Sequence, residues 1–244
     1  MKYKAVLFDI FGTLVVIEDM ETELNDWLDC FYDCLKPHGL DIARESFNEW
    51  CFHHLRQEPP PPGKENLTIF ERRIQAVCSS ARLQVNPADI KQTAVSLLKV
   101  WNDYAVLDPD CHPLLQELVP SCTLGIISNF DHPPYIHGVL QDHDLNKYFS
   151  TVVISGDYDF KKPDPRIFHL ALDELGLKPE EAIYIGDSEE DIVGARAAGI
   201  EPILIQRDID LDGVPVVFKK EYAENDVTTI RKLPEIVKVL GESA

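Results

Sequence analysis

Three short apolar runs, far apart in the chain, each stop abruptly on a cluster of polar residues and glycine. Lys4-Ala-Val-Leu-Phe8 stops at Asp9-Ile10-Phe11-Gly12-Thr13, Cys122-Thr-Leu-Gly-Ile-Ile127 at Ser128-Asn129, and Ala182-Ile-Tyr-Ile185 at Gly186-Asp187-Ser188. Compact apolar runs of this length, without alternation, are what strands buried on both faces require, and the polar clusters that follow end them. Weaker strand candidates lie at Thr151 to Ile154 and Pro202 to Ile205, with helical stretches at Pro113 to Leu118, Arg166 to Leu175 and Asp191 to Ala198. Strand alternating with helix predicts an α/β fold built on a parallel sheet.

The segment from about Glu18 to Ala105 obeys a different period. Met20, Leu24, Trp27, Leu28, Phe31 and Leu35 make one helical stripe, and Ile42, Phe47 and Trp50 a second. Ile69, Phe70, Ile74 and Val77 make a third, and Ile90, Ala94, Leu97, Leu98 and Trp101 a fourth. No strand alternation interrupts them. The economical architecture is an all-helical cap, residues 17–106, inserted after the first strand of a core formed by 1–16 and 107–244. Pro59-Pro60-Pro61-Pro62-Gly63 reads as a stiff surface connection between cap helices. The tryptophans Trp27, Trp50 and Trp101 read as cap core, and His53-His54 as surface or boundary residues.

Composition limits the partners. The chain of 244 residues is 45% hydrophobic and 27% charged, enough for a substantial core and unlike a disordered acidic tail. Lys+Arg 23 against Asp+Glu 42 leaves a net charge of −19, which repels a nucleic-acid backbone. The apolar run at the start meets Asp9 too soon for an export signal, and no stretch approaches the roughly 20 apolar residues of a membrane span. A cytoplasmic protein is the default expectation. Cys30, Cys34, Cys51, Cys78, Cys111 and Cys122 lack metal or redox spacing and read as reduced thiols.

In open α/β sheets ligands sit in the crevice beyond the carboxyl ends of the strands, where Asp9, Ser128 and Asp187 all project. Lys162, held extended by Pro163 just ahead of a helix, can reach the same place. The crevice would then contain a carboxylate able to attack, hydroxyl and amide donors, an ammonium, and the carboxylate pair Asp187 and Asp191. A hard cation such as Mg²⁺ accepts one or two carboxylates together with water and substrate phosphate. Ser128 with His132 lacks the Gly-x-Ser-x-Gly elbow of a serine nucleophile and reads as a phosphate-holding hydroxyl.

Asp9-Ile-Phe-Gly-Thr13, Ser128-Asn129, Lys162-Pro163 and Gly186-Asp187 to Asp191 together resemble, in order, the four motifs of the haloacid dehalogenase superfamily. The resemblance runs from Lys4 to about Leu240 in the core, while the cap matches in position and helical character only. It implies a Rossmann-like core and a hydrolase in which Asp9 is the nucleophile that forms a covalent aspartyl intermediate. It further implies that Gly12, Thr13, Ser128 and Asn129 hold the transferring group and that Lys162 neutralises charge. The metal would be held by Asp9, the Phe11 carbonyl and Asp187, with Asp191 in support. Asp191 also has a plainer reading as an acid at a helix start, and Lys161 as a solvated neighbour.

Phosphatases of the superfamily generally carry Asp-x-Asp in the first motif, the second aspartate acting as general acid and base, whereas this chain has Phe11 there. General acid–base catalysis contributes about 10²–10⁴-fold, so a leaving group that departs without a proton is expected. The aromatic residue resembles 2-haloacid dehalogenases, but Asp187 and Asp191 would oppose ionisation of Asp9 unless a cation neutralised them. A dehalogenase would also need a cap cation such as Arg44 or Arg56, and a phosphonoacetaldehyde-hydrolase-like reaction a Schiff-base lysine such as Lys64 or Lys36. The sequence thus predicts a Mg²⁺-dependent phosphatase acting on a small phosphorylated substrate. C–X hydrolysis and a non-catalytic phospholigand- or protein-binding homologue are the alternatives, and the oligomeric state is open.

Overall fold

The computed structural model describes residues 3–207 and 227–242. The parts of the expected segments 1–16 and 107–244 that fall on 1–2, 208–226 and 243–244 lie outside the described residues. In chain order the elements are β1 (Ala5–Phe8), β2 (Val15–Ile17), α1 (Met20–Leu35), α2 (Arg44–Leu55), α3 (Ile69–Ser80), α4 (Pro87–Tyr104), β3 (Ala105–Leu107), α5 (Cys111–Leu118), β4 (Thr123–Ser128), α6 (Pro133–Asp142), β5 (Phe149–Ile154), α7 (Pro165–Leu175), β6 (Ala182–Gly186), α8 (Glu189–Ala197), β7 (Glu201–Ile205), β8 (Thr228–Ile230) and α9 (Glu235–Glu242). They divide into two compact units, Met1–Ile17 with Val106–Ala244, and Glu18–Ala105.

The first unit is built on a parallel sheet of order β5-β4-β1-β6-β7-β8. All four residues of β1 are buried, as a central strand covered on both faces demands. From β1 the strands step outward to β4 and β5, then return to β6 on the other side of β1. That reversal opens a crevice at the carboxyl end of β1. Phe8 is in register with Ile126 of β4 and Ile185 of β6, so Asp9 emerges beside the ends of both neighbours. Its backbone N–H still donates to Ile185 O at 2.9 Å, which extends the ladder to the nucleophile position.

The sheet packs on α7 and α8 through Leu7, Ile127, Val153 and Tyr184 against Ile167, Phe168, Ala171 and Ala195. Phe168 meets the Tyr184 ring edge-on, with centroids 5.0 Å apart. Helix α7 starts where the Asp164 side chain accepts from Arg166 N, with Pro165 in its first turn, and stops at Gly176 in the left-handed region at φ 65°. Strand β5 begins at Phe149, two residues before the apolar pattern becomes clear.

Four helices, α1 to α4, make the second unit. The stripes read from periodicity meet in a core of Phe31, Leu35, Phe47, Ile74, Val77, Ile90, Ala94 and Leu97. Thr68 and Glu71 form a reciprocal capping box at the start of α3, and Asn86 caps α4 ahead of Pro87. The tetraproline lies in the connection between α2 and α3. Arg72 donates to Pro60 O at 2.8 Å and to Leu67 O at 3.0 Å, and Arg73 to Leu55 O and Gln57 O at 2.9 Å each. His54 packs on Trp50 at 4.6 Å, and Trp27 is buried in the core. All six cysteines are free thiols, and burial pushes Cys51 up to about 12. Among the described residues no helix is long and apolar enough to cross a membrane.

Candidate active site

The sequence-predicted charges at the carboxyl edge of the sheet meet around one buried ammonium. Lys162 Nζ lies 2.7 Å from Asp9 Oδ1, 2.7 Å from Asp191 Oδ1, 3.0 Å from Tyr184 OH and 3.2 Å from Ile127 O. Three N–H donors are thus shared among four oxygens. The Tyr184 hydroxyl, which accepts from Lys162, passes its own proton toward Asp191 Oδ1 at 2.9 Å or Ile127 O at 3.1 Å. Lys162 and Asp191 are almost completely buried. Charges in such a place persist only when paired and hydrogen-bonded.

The two carboxylates divide the ammonium unequally. Burial would raise Asp191, but Lys162 and the hydrogen bonds from Ser188 and Tyr184 outweigh it and hold that carboxyl below its ordinary range. Its second oxygen accepts from Ser188 N at 2.9 Å and Ser188 Oγ at 2.5 Å, in the capping box that opens α8. Both oxygens of Asp191 are therefore engaged by protein donors. Asp9 is pushed up to about 7, first by burial and further by Asp191 and Asp187, against the attraction of Lys162. For Lys162 burial opposes the charge, yet Asp191 and Asp9 together hold the ammonium above its ordinary range.

Asp187 completes the acidic group. Asp9, Asp187 and Asp191 each offer a ligand atom, all within 4.8 Å of one another. An all-oxygen set of this kind suits a hard cation, and three carboxylates against one ammonium leave excess negative charge for it to neutralise. Of the three, Asp191 has its oxygens turned to Lys162, Tyr184 and Ser188, whereas Asp187 is only half-buried. Glycine is required at two approaches. A Cβ on Gly12, whose φ is 84°, would lie 2.2 Å from Asp187 Oδ2, and one on Gly186 would lie 2.3 Å from Asp191 Cγ.

The remaining candidates make contacts of their own. Ser128 is the buried last residue of β4. Asn129 spends its amide on the chain itself: Oδ1 accepts from Lys162 N at 2.9 Å, and Nδ2 donates to Lys162 O at 3.0 Å and Glu190 Oε2 at 2.9 Å. It clasps the backbone that carries the lysine. Thr13 is buried, and its Oγ1 finds no hydrogen-bond partner among the described residues. The Phe11 ring packs at 5.5 Å on Phe130 and stacks at 6.3 Å on Tyr135. In the helical unit Arg44 is committed to Asp29 and Asn48, and Lys36 donates to Leu40 O at 3.3 Å. Arg56 lies over the Phe52 ring, 5.9 Å from its centroid. Tyr184, Glu190 and Arg207 were not singled out from sequence. Tyr184 reads as core inside an apolar strand, and Arg207 follows a strand with no motif to mark it.

Comparison with known proteins identifies the family. The family model for haloacid dehalogenase-like hydrolases matches residues 3–199. A phosphoglycolate phosphatase of Photorhabdus laumondii is 38% identical over 206 residues, 80% of this chain and 77% of the relative. The crystal structure of a HAD phosphatase from Thermococcus onnurineus superposes with a TM-score of 0.69 at 25% identity, covering 98% of each chain. That of a 2-haloacid dehalogenase from Pseudomonas syringae pv. Tomato also reaches 0.69, at 23% identity over 99% of this chain and 100% of that one, a likeness of fold.

Proposed function

This chain belongs to the haloacid dehalogenase-like hydrolases, and we propose that within them it works as a Mg²⁺-dependent phosphatase on a small phosphorylated substrate whose leaving group departs without a proton. The observation that carries this reading is the acidic cluster of Asp9, Asp187 and Asp191. Without a cation, the two extra carboxylates oppose ionisation of the nucleophile; with one, that charge is neutralised and Asp187 has a ligand role. Asp9, Asp187 and the Phe11 backbone carbonyl would hold the Mg²⁺. When bound, the ion supplies positive charge toward the phosphoryl oxygens.

One Asp9 oxygen attacks phosphorus, an aspartyl phosphate forms, and the P–O bond to the leaving group breaks with the electron pair going to that oxygen. Water then attacks the aspartyl phosphate, releasing inorganic phosphate and returning the Asp9 carboxylate. Lys162 beside Asp9 offsets negative charge as it accumulates, while Asp191 and Tyr184 hold the ammonium there and Asn129 fixes its backbone. The Thr13 hydroxyl, without a hydrogen-bond partner among the described residues, would serve a phosphoryl oxygen, and Ser128 is the second hydroxyl of the set. Phe11 brings no proton, so an aryl or acyl phosphate, whose leaving oxygen is a weak base, is favoured.

The aromatic Phe11 favours a second reading, in which Asp9 displaces halide from a 2-haloacid. A screen separates the two. Purified protein is assayed on an aryl phosphate, an acyl phosphate and a 2-haloacid, with and without Mg²⁺, beside Asp9→Asn. Magnesium-dependent phosphate release, abolished in the folded Asp9→Asn variant, is expected. Metal-independent halide release would reverse the ranking.

A further inference from the structure

Arg207 lies two residues beyond β7, with β6 between its strand and β1, yet its guanidinium reaches the turn that follows Asp9. Nη2 donates to Thr13 O at 2.6 Å and Nε to Gly12 O at 3.3 Å. Nη1 pairs with Asp108 Oδ2 at 2.5 Å, the two side chains being 16% and 7% exposed. Asp108 is itself fixed: its N–H donates to Leu14 O at 2.9 Å, and its Oδ1 accepts from Asp110 N at 2.7 Å. The turn is held from its first residue too, because Thr13, Leu14 and Val15 all direct their N–H groups to Ile10 O at 3.3, 2.8 and 2.8 Å. Ile10 anchors one end of the turn and Arg207 the carbonyls of the other.

The turn carries more than the nucleophile. Gly12 is the backbone against which the Asp187 carboxylate rests, so closely that a Cβ there would lie 2.2 Å from Asp187 Oδ2. A shift at Gly12 therefore alters the spacing between the Asp9 turn and Asp187, and a shift at Thr13 moves its buried hydroxyl. We propose that Arg207, clamped by Asp108, is a positioning residue that fixes the nucleophile turn relative to Asp187. Two carbonyls and a carboxylate meet three nitrogens of one planar guanidinium, a pattern that a lysine ammonium cannot span.

The inference rests on the phosphatase reading only for its kinetic arm. Arg207→Met, Arg207→Lys, Arg207→Ala and Asp108→Asn are compared with the parent on an aryl phosphate, after each has been shown to melt cooperatively. Misplacement of reacting groups by about 1 Å costs roughly 10²-fold, and a loss of that order in kcat is expected for Arg207→Met with KM little changed. Arg207→Lys and Asp108→Asn should lose less, and added methylguanidinium should restore part of the Arg207→Ala rate. The second arm needs no turnover: amide hydrogen exchange at Thr13, Leu14 and Val15 should accelerate in Arg207→Met. If the parent hydrolyses no phosphate but exchange accelerates, the phosphatase reading fails and the clamp stands. Parent-like kcat and exchange in Arg207→Met would overturn the clamp, as would a lost rate that methylguanidinium does not recover. Should Arg207→Met fail to fold, Arg207→Lys and Asp108→Asn carry both measurements with the same outcomes.

Discussion

The ring of Phe11 makes a continuous aromatic stack with Phe130 and Tyr135, whose own centroids are 5.3 Å apart. An aromatic wall thus lines the turn at the position where a carboxylate would protonate a departing alkoxide. Replacing it by Phe11→Asp exchanges packing for a proton shuttle. Each lost aromatic pair contributes about 0.5–1.5 kcal/mol beyond its buried area, so the variant should melt below the parent. Its kcat/KM on alkyl phosphates should rise by up to about 10²–10⁴-fold, and on aryl and acyl phosphates hardly at all. A folded Phe11→Asp protein with an unchanged alkyl-to-aryl ratio would show that the missing acid is not what limits the parent. Asp9 and Asp187 are legible because each directly follows a strand, Phe11 because it lies in the turn just beyond Asp9, and Lys162 because Pro163 sets it extended shortly ahead of α7. Tyr184 is not, since a tyrosine within Ala182-Ile-Tyr-Ile185 has the pattern of core and becomes polar machinery only when Lys162 and Asp191 meet its hydroxyl. The plainer reading of Asp191 as a helix-start acid is also realised, because one oxygen closes the α8 capping box while the other holds the lysine.

Helix α1 carries a buried acid that belongs to none of the motifs. Glu23 is 7% exposed, and burial, reinforced by Asp26, pushes it up to about 7 from 4.5. Between those two values the folded chain keeps a proton that the unfolded chain has released. Stability from this group is therefore present below about pH 4.5 and falls as pH rises toward 7. Glu23→Gln removes the titration while keeping the shape, and at pH 8 it should stabilise the protein by on the order of 1–3 kcal/mol. Urea unfolding of parent and variant at pH 5, 6, 7 and 8 reads the difference; parallel pH dependences would show that Glu23 is not buried as a charge. The helices of this unit are legible because four apolar stripes at helical spacing each persist over two turns or more. The elements that escape are those whose pattern is too short or is set by distant contacts. Strands β2 and β3 have three residues each, less than two periods of alternation, and α6 opens on Pro133-Pro134, which mask a helix start. Arg207 shows the same limit, for its partner carbonyls lie 194 and 195 residues away in the chain.

Division of labour between the two units follows from where the chemistry sits. Asp9, Thr13, Ser128, Lys162, Tyr184, Asp187, Asp191, Asp108 and Arg207 all belong to the unit of Met1–Ile17 with Val106–Ala244, and none comes from Glu18–Ala105. That unit has its own sheet and its own hydrophobic cluster on α7 and α8. The ends of the insertion are close together, since Glu18 N donates to Tyr104 O at 3.4 Å, so a short Gly-Ser linker can replace residues 18–105 with little closure entropy. The excised protein is expected to unfold in one cooperative transition and to gain melting temperature as Mg²⁺ is raised, because an ion held by Asp9 and Asp187 binds the folded state alone. With Mg²⁺ and beryllofluoride it should form the same Asp9 adduct as the whole chain, visible by fluorine NMR and absent from Asp9→Asn. Turnover of an aryl phosphate should persist, because the attacking carboxylate and the ammonium beside it both belong to the retained unit. A folded excised protein that neither responds to Mg²⁺ nor forms the adduct would mean that the helical unit is needed to complete the reacting centre.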